Sequence, residues 1–141
     1  MTFNLKKAQK DKKVFLGGTC GESNWREELI PMLEISYFNP IVSNWNEAAQ
    51  KREIKEREEC DFCLYVLTPD MEGVYSVAEV VDDSNKRSEE TILCILNESG
   101  DKTFTPNQEK SLDRVCALVE DNGAKVLEDL ESVAKYLNKK G

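Results

Sequence analysis

The stretch Val14-Phe15-Leu16-Gly17-Gly18-Thr19-Cys20-Gly21, followed by Ser23-Asn24-Trp25-Arg26 and an amphipathic run to about Glu34, decides the fold. A short apolar run without polar alternation reads as a strand buried on both faces, as in a parallel sheet. The glycines turn the chain, and Ser23 or Asn24 caps a helix, with Glu27 at capping-box spacing from Asn24. The same strand-then-helix unit recurs downstream. Ile35 to Phe38 is a second strand, ended by Asn39-Pro40 because proline cannot continue a ladder. Asn46 caps a very polar helix to about Glu59, and Phe62 to Leu67 is a third strand stopped by Thr68-Pro69-Asp70. A helix from about Gly73 to Arg87 leads to a fourth strand, Thr91 to Leu96. Pro106 to Asp121 is a helix with Leu112, Val115, Cys116 and Val119 along one stripe. Lys125-Val126-Leu127 is a fifth strand, and Leu130 to Leu137 a closing helix. Five strands alternating with five helices predict a doubly wound α/β domain. Its parallel sheet has the flavodoxin-like order 2-1-3-4-5 inside a three-layer sandwich, with right-handed crossovers. The ligand site of such a sheet lies where the strand order reverses, between the first and third strands.

Composition narrows the function. The 141 residues suffice for a single domain, expected over residues 13–141, after a flexible basic tail (residues 1–12) that carries Lys6, Lys7, Lys10 and Lys12. A net charge of −8 excludes a nucleic acid polymer as a sequence-independent partner, since that binding needs clustered cations. The longest apolar runs are strand-length, so no membrane segment is expected. Five cysteines, an odd number sitting mostly in apolar runs, suit a reducing compartment and a cytoplasmic protein. Cys60 and Cys63 lie three apart in an apparent strand and point to opposite faces, so no metal site is expected there. Cys20, in the glycine loop, is either a reactive thiol or simply a small loop residue. The chain has no histidine, which removes Ser-His-Asp and Cys-His catalysis and leaves chemistry to carboxylates, hydroxyls, thiols or amines. No cofactor is called for.

Three loops are predicted to meet at the switch point: Gly17 to Gly21, Thr68 to Gly73, and Asn39-Pro40. The glycines either let backbone N–H groups approach a sugar or phosphate, or make a tight turn with no ligand. Glu79 interrupts Val77-Ala78-Glu79-Val80-Val81 early in the helix after the third strand, where its carboxylate can face the pocket. Tyr75, Ser76, Asp82 and Asp83 fall on its side of that helix, opposite Val74, Val77, Ala78 and Val81. The alternative is an ordinary solvated face.

Val14-Phe15-Leu16-Gly17-Gly18-Thr19, Asn24-Trp25-Arg26, Asn39-Pro40, Trp45 and Gly73-Val74-Tyr75-Ser76-Val77-Ala78-Glu79 together resemble the nucleoside 2-deoxyribosyltransferase-like family in identity, order and spacing. The resemblance covers about Val14 to Leu96. It implies a small-molecule nucleoside or nucleotide as substrate, a place in nucleotide salvage, and a protein that associates with copies of itself. It also implies that Glu79 is the nucleophile of a retaining transfer or hydrolysis of an N-glycosidic bond, with Glu53 as the second acid. Gly17, Gly18, Thr19, Trp25, Asn39, Trp45, Asp70, Gly73, Tyr75 and Ser76 would then contact substrate, and Asn122 would come from a neighbouring subunit. Two positions depart from the family pattern: Phe15 stands where an aromatic hydroxyl is usual, and Gly73 where an Asp or Ser is usual. Those departures favour the other reading, a catalytically weak nucleotide-binding or sensing module on the same fold.

Overall fold

The computed structural model describes residues 12–21 and 23–141; residues 1–11 of the expected tail lie outside the described residues. Strands β1 (Lys13–Gly18), β2 (Ser36–Phe38), β3 (Phe62–Leu67) and β4 (Thr91–Ile95) pair in parallel with a last strand, β7 (Lys125–Leu127), in the order β2-β1-β3-β4-β7. This is the expected doubly wound sheet. The strand expected as the fifth becomes the seventh because a hairpin, β5 (Glu98–Ser99) and β6 (Lys102–Thr103), intervenes.

Strand periodicity sorts the core into two layers. Val14 and Leu16 of β1, Leu64 and Val66 of β3, and Ile92 and Cys94 of β4 point to one face. There they meet Trp25 and Leu29 of helix α1 (Trp25–Leu29), and Val133 and Leu137 of helix α5 (Leu130–Lys140). Phe15, Cys63, Tyr65, Leu67 and Leu93 point to the other. They pack on Val80 of α3 (Tyr75–Lys86) and on Leu112 and Val119 of α4 (Pro106–Asp121).

Helix α2 (Glu47–Glu59), on this second face, buries no residue. Polar contacts hold it instead: Glu56 pairs with Lys13 at 2.8 Å, and Arg52 lies 5.4 Å from the Phe38 ring. Asn46 caps it as expected, accepting a hydrogen bond from Ala49 N at 2.8 Å.

Some helix ends differ from expectation. α1 stops after five residues and passes into a single 3₁₀ turn, Ile30–Met32, because Pro31 has no N–H to continue the ladder. Asn24 occupies the N-cap position without a side-chain cap, so the expected capping box is absent. α3 begins at Tyr75 rather than Gly73, and α5 runs to Lys140.

The largest departure concerns the face of α3. Val80, Asp83 and Ser84 are buried and Glu79 is largely covered, whereas Val74 is 71% exposed and Ala78 is exposed. Asp83 and Ser84 turn toward the sheet together with Val80, while Val77 and Val81 stay partly buried against the same core, because partners for the Asp83 carboxylate are waiting there.

At the end of β1 the chain needs glycine. Gly18 has φ +115°, and a Cβ there would lie 2.1 Å from the carbonyl oxygen of Val66. Gly18→Ala is therefore expected to destabilise the fold by about 3 kcal/mol or more, read by urea denaturation.

Candidate active site

The loop after β1 is fixed from beneath. Trp25 Nε1 donates to the carbonyl of Thr19 at 2.9 Å, and Arg26 Nη1 donates to the same oxygen at 2.7 Å. Arg26 Nε and Nη2 both donate to the carbonyl of Leu16, at 3.1 and 3.0 Å. Thr19 Oγ1 in turn accepts from the N–H of Thr68, tying this loop to the one after β3 at 2.9 Å. The carboxyl ends of β1 and β3, where the strand order reverses, are thus locked to each other. Trp25, expected at the ligand, is a fully buried support for the loop. Its large ring carries a single donor, and that donor is spent on Thr19.

Two adjoining chambers open above this support and share Gly18, Cys20, Gly21, Tyr75 and Ser76 as a common wall. The first, of about 520 Å³, holds both expected acids, Glu53 from α2 and Glu79 from α3, beneath Gly17, Pro40, Trp45 and Arg26. The second, of about 420 Å³, is lined by Thr19, Asp70, Gly73 and Lys102. Both volumes lie in the range of small-molecule sites. Gly17 is small for a reason: a Cβ there would come within 2.7 Å of the Tyr65 ring.

Two expected contacts lie elsewhere in the chain. Asn39 lines a separate cavity with Lys13 and Arg52, and its side-chain oxygen accepts from Ile41 N, since the following proline leaves that turn to be closed locally. Asn122 caps the far end of α4 and donates to Ser84 Oγ at 3.0 Å, so within one chain it lines neither chamber. A larger apolar groove between α3 and α4, about 920 Å³, contains neither Glu53 nor Glu79.

Only 12% of the Glu79 side chain is exposed. Burial lifts its carboxyl from 4.5 to about 7; Arg57 opposes this shift, while Glu53 and Asp83 add to it. Burial also raises Glu53, against the pull of Arg26 and Arg57. Two carboxyls that share a partly dry chamber and bind protons more tightly than usual are suited to dividing nucleophile and acid roles.

Sequence reasoning missed the residue that organises this wall. Arg57 donates from Nε to Tyr65 Oη at 3.0 Å and to Asp83 Oδ2 at 3.2 Å, and from Nη2 to Asp83 Oδ1 at 3.1 Å and Asp82 Oδ2 at 3.2 Å. Its Nε lies 3.6 Å from Glu79 Oε2. The signals available were Tyr65 inside an apolar strand and Asp83 in a helix that packs on it, two polar groups asking for a buried cation.

In the second chamber, the 8%-exposed Asp70 carboxylate accepts from Ser99 Oγ and Thr68 Oγ1 and pairs with Lys102. The hairpin that supplies Ser99 and Lys102 was likewise not foreseen, because strands of two polar residues carry no periodicity. Ser99 and Lys102 also hold Asp70 below the usual carboxylate range.

The fold is thus a doubly wound α/β sheet with two acidic side chains, Glu53 and Glu79, lining one chamber at its switch point. The chain belongs to the nucleoside 2-deoxyribosyltransferase-like family, whose model matches residues 11–98. A search among curated proteins found no match. Among the described residues, no helix is long and apolar enough to cross a membrane.

Trp25→Phe, which removes one buried donor to Thr19 and some packing, is expected to cost about 1–2 kcal/mol in urea denaturation. A variant as stable as the parent would contradict the supporting role given to that indole.

Proposed function

We propose that this protein breaks, and in the presence of an acceptor base remakes, the N-glycosidic bond of a nucleoside or nucleotide, with Glu79 as nucleophile. The observation that carries this reading is the nearly covered Glu79 carboxylate sharing one chamber with Glu53, in a chain of this family. In the first step a Glu79 oxygen bonds to the anomeric carbon as the carbon–nitrogen bond breaks. The bonding pair leaves with the base, which takes a proton from Glu53. In the second step a new base, or water, displaces the Glu79 ester and returns a proton to Glu53, so the anomeric configuration is retained.

The second chamber receives the 5′ end of the sugar, where Asp70 and Lys102 take the place of side chains that Phe15 and Gly73 do not provide. Trp45, 57% exposed at the mouth of the first chamber, offers a flat surface to the base. Residues 13–141 act as one domain, in the cytoplasm and as a self-associating protein.

Incubation with deoxynucleosides and their 5′-monophosphates, with and without an acceptor base, followed by chromatography, tests the reaction. Exchange identifies a transferase and release alone a hydrolase. Glu79→Gln is expected to lower turnover at least about a thousandfold. Absence of turnover together with a ligand-induced rise in Tm would instead establish the binding module that Phe15 and Gly73 favour.

Because attack needs the Glu79 anion and the departing base needs the Glu53 proton, kcat/KM for the parent is expected to be bell-shaped in pH, rising as Glu79 ionises near 7 and falling again once Glu53 gives up its proton. Stability moves the opposite way. A carboxyl whose folded value is raised stabilises the fold below its ordinary value, and that contribution fades as pH climbs from 4.5 to about 7. Glu79→Gln should therefore be more stable than the parent at pH 8, by about 2–3 kcal/mol, and show no such advantage at pH 4. Thermal melts at the two pH values check both signs.

A further inference from the structure

A covered carboxylate that must attack carbon faces two opposed demands. Loss of water favours its neutral form, while a cation hydrogen-bonded directly to it would restore the charge but occupy the lone pairs needed for attack. The arrangement here meets both. Arg57 reaches Asp83 with two nitrogens, at 3.1 and 3.2 Å, and Tyr65 at 3.0 Å. The same Asp83 carboxylate accepts from the Tyr65 hydroxyl and has Arg87 within 3.5 Å. With Asp83 only 1% exposed, the guanidinium is clamped in a plane set by the core. It stops 3.6 Å from Glu79 Oε2, which is ion-pair range and beyond a hydrogen bond.

Other charged and titratable groups surround Glu79. Glu53 lies across the chamber on α2, and Asp82 and Asp83 follow on its own helix. Arg26 and Cys20 line the chamber from α1 and the glycine loop, and Tyr65 stands behind on β3. Arg26 is committed to the carbonyls of Leu16 and Thr19, and Lys86 to Asp82 at 3.0 Å. Among the described residues, Arg57 is the cation at ion-pair distance from Glu79.

We propose that Arg57 is a positioning residue that keeps Glu79 in its attacking form: Asp83 and Tyr65 hold the guanidinium close enough to stabilise the anion yet too far to cap it. The inference rests on Glu79 being the nucleophile, but its physical content can be read without substrate. Carbon-13 NMR of protein labelled at glutamate carboxyls follows the Glu79 resonance, identified by its loss in Glu79→Gln. In the parent its midpoint is expected near pH 7. Arg57→Met is expected to move that midpoint up by about one unit or more, and Arg57→Lys, which keeps the charge, to leave it near the parent value. An unmoved midpoint in a folded Arg57→Met protein overturns the proposal.

Should Arg57→Met not fold, Tyr65→Phe tests the clamp from the other side, since it frees one arm of the guanidinium without removing a charge beside Glu79. The loosened guanidinium closes on Glu79 and the midpoint falls by about half a unit, whereas a midpoint unchanged from the parent overturns the clamp. Arg57→Lys, lacking the fork, is also expected to lose turnover about tenfold at the pH optimum with its acid limb in place. Lack of turnover in the parent would reject the glycosidic reading while leaving the titration result standing, so the two failures are distinguishable.

Discussion

Asp83 is a carboxylate almost wholly withdrawn from water, and the second face of the molecule is arranged around satisfying it. Leaving such a group unpaired would cost several kcal/mol. Arg57 approaches from one helix, Arg87 from the C-cap of Asp83's own helix, and the Tyr65 hydroxyl rises from the central strand. Once these partners are in place, α3 must present its acidic side to the sheet, which carries Glu79 to the chamber wall and leaves Val74 in solvent. The placement of the candidate nucleophile is thus a by-product of neutralising a neighbour four residues further on. Val80 is buried on the same side, with Val77 and Val81 partly buried beside it, so the helix packs its apolar residues and its buried carboxylate against one face.

The opposite face works by different means. There the sheet meets α1 and α5 through Trp25, Leu29 and Leu137, and among the described residues the charge buried deeply is Arg26, spent on backbone carbonyls. That choice gives the loop after β1 a fixed shape while consuming no carboxylate. One layer therefore supplies rigidity and the other electrostatics, and the switch point between β1 and β3 is where both act on the same few residues.

Much of this organisation is legible in the chain. Phe62–Leu67, Pro106–Asp121 and Lys125–Leu127 form where their patterns place them, because buried parallel strands and a Thr-Pro helix start are strong local signals. The strand order follows from the alternation of elements and the hand of the crossovers. Glu79, singled out by its place in an apolar helix run, and Glu53, singled out by the family resemblance alone, line one chamber.

What the chain conceals is nonlocal. Arg57 lies in the run Lys51 to Glu59, which has the composition of a solvated surface, and its partners are on other elements. The β5–β6 hairpin depends on Asp70 far upstream, and Trp25 looks like a ligand platform until the carbonyl that uses its N–H is seen. Helix α2 adds a last consequence. It brings Glu53 to the chamber and Arg57 to the back of Glu79 while burying no side chain of its own. Its attachment therefore rests on charge pairs of two kinds: Lys13–Glu56 at the rim is within reach of dissolved ions, which screen over a Debye length of about 8 Å at physiological ionic strength, whereas Arg57–Asp83, withdrawn from water, is screened far less. The end of the helix that carries Arg57 is thus fastened independently of the surrounding electrolyte, and added salt loosens the rim contact first.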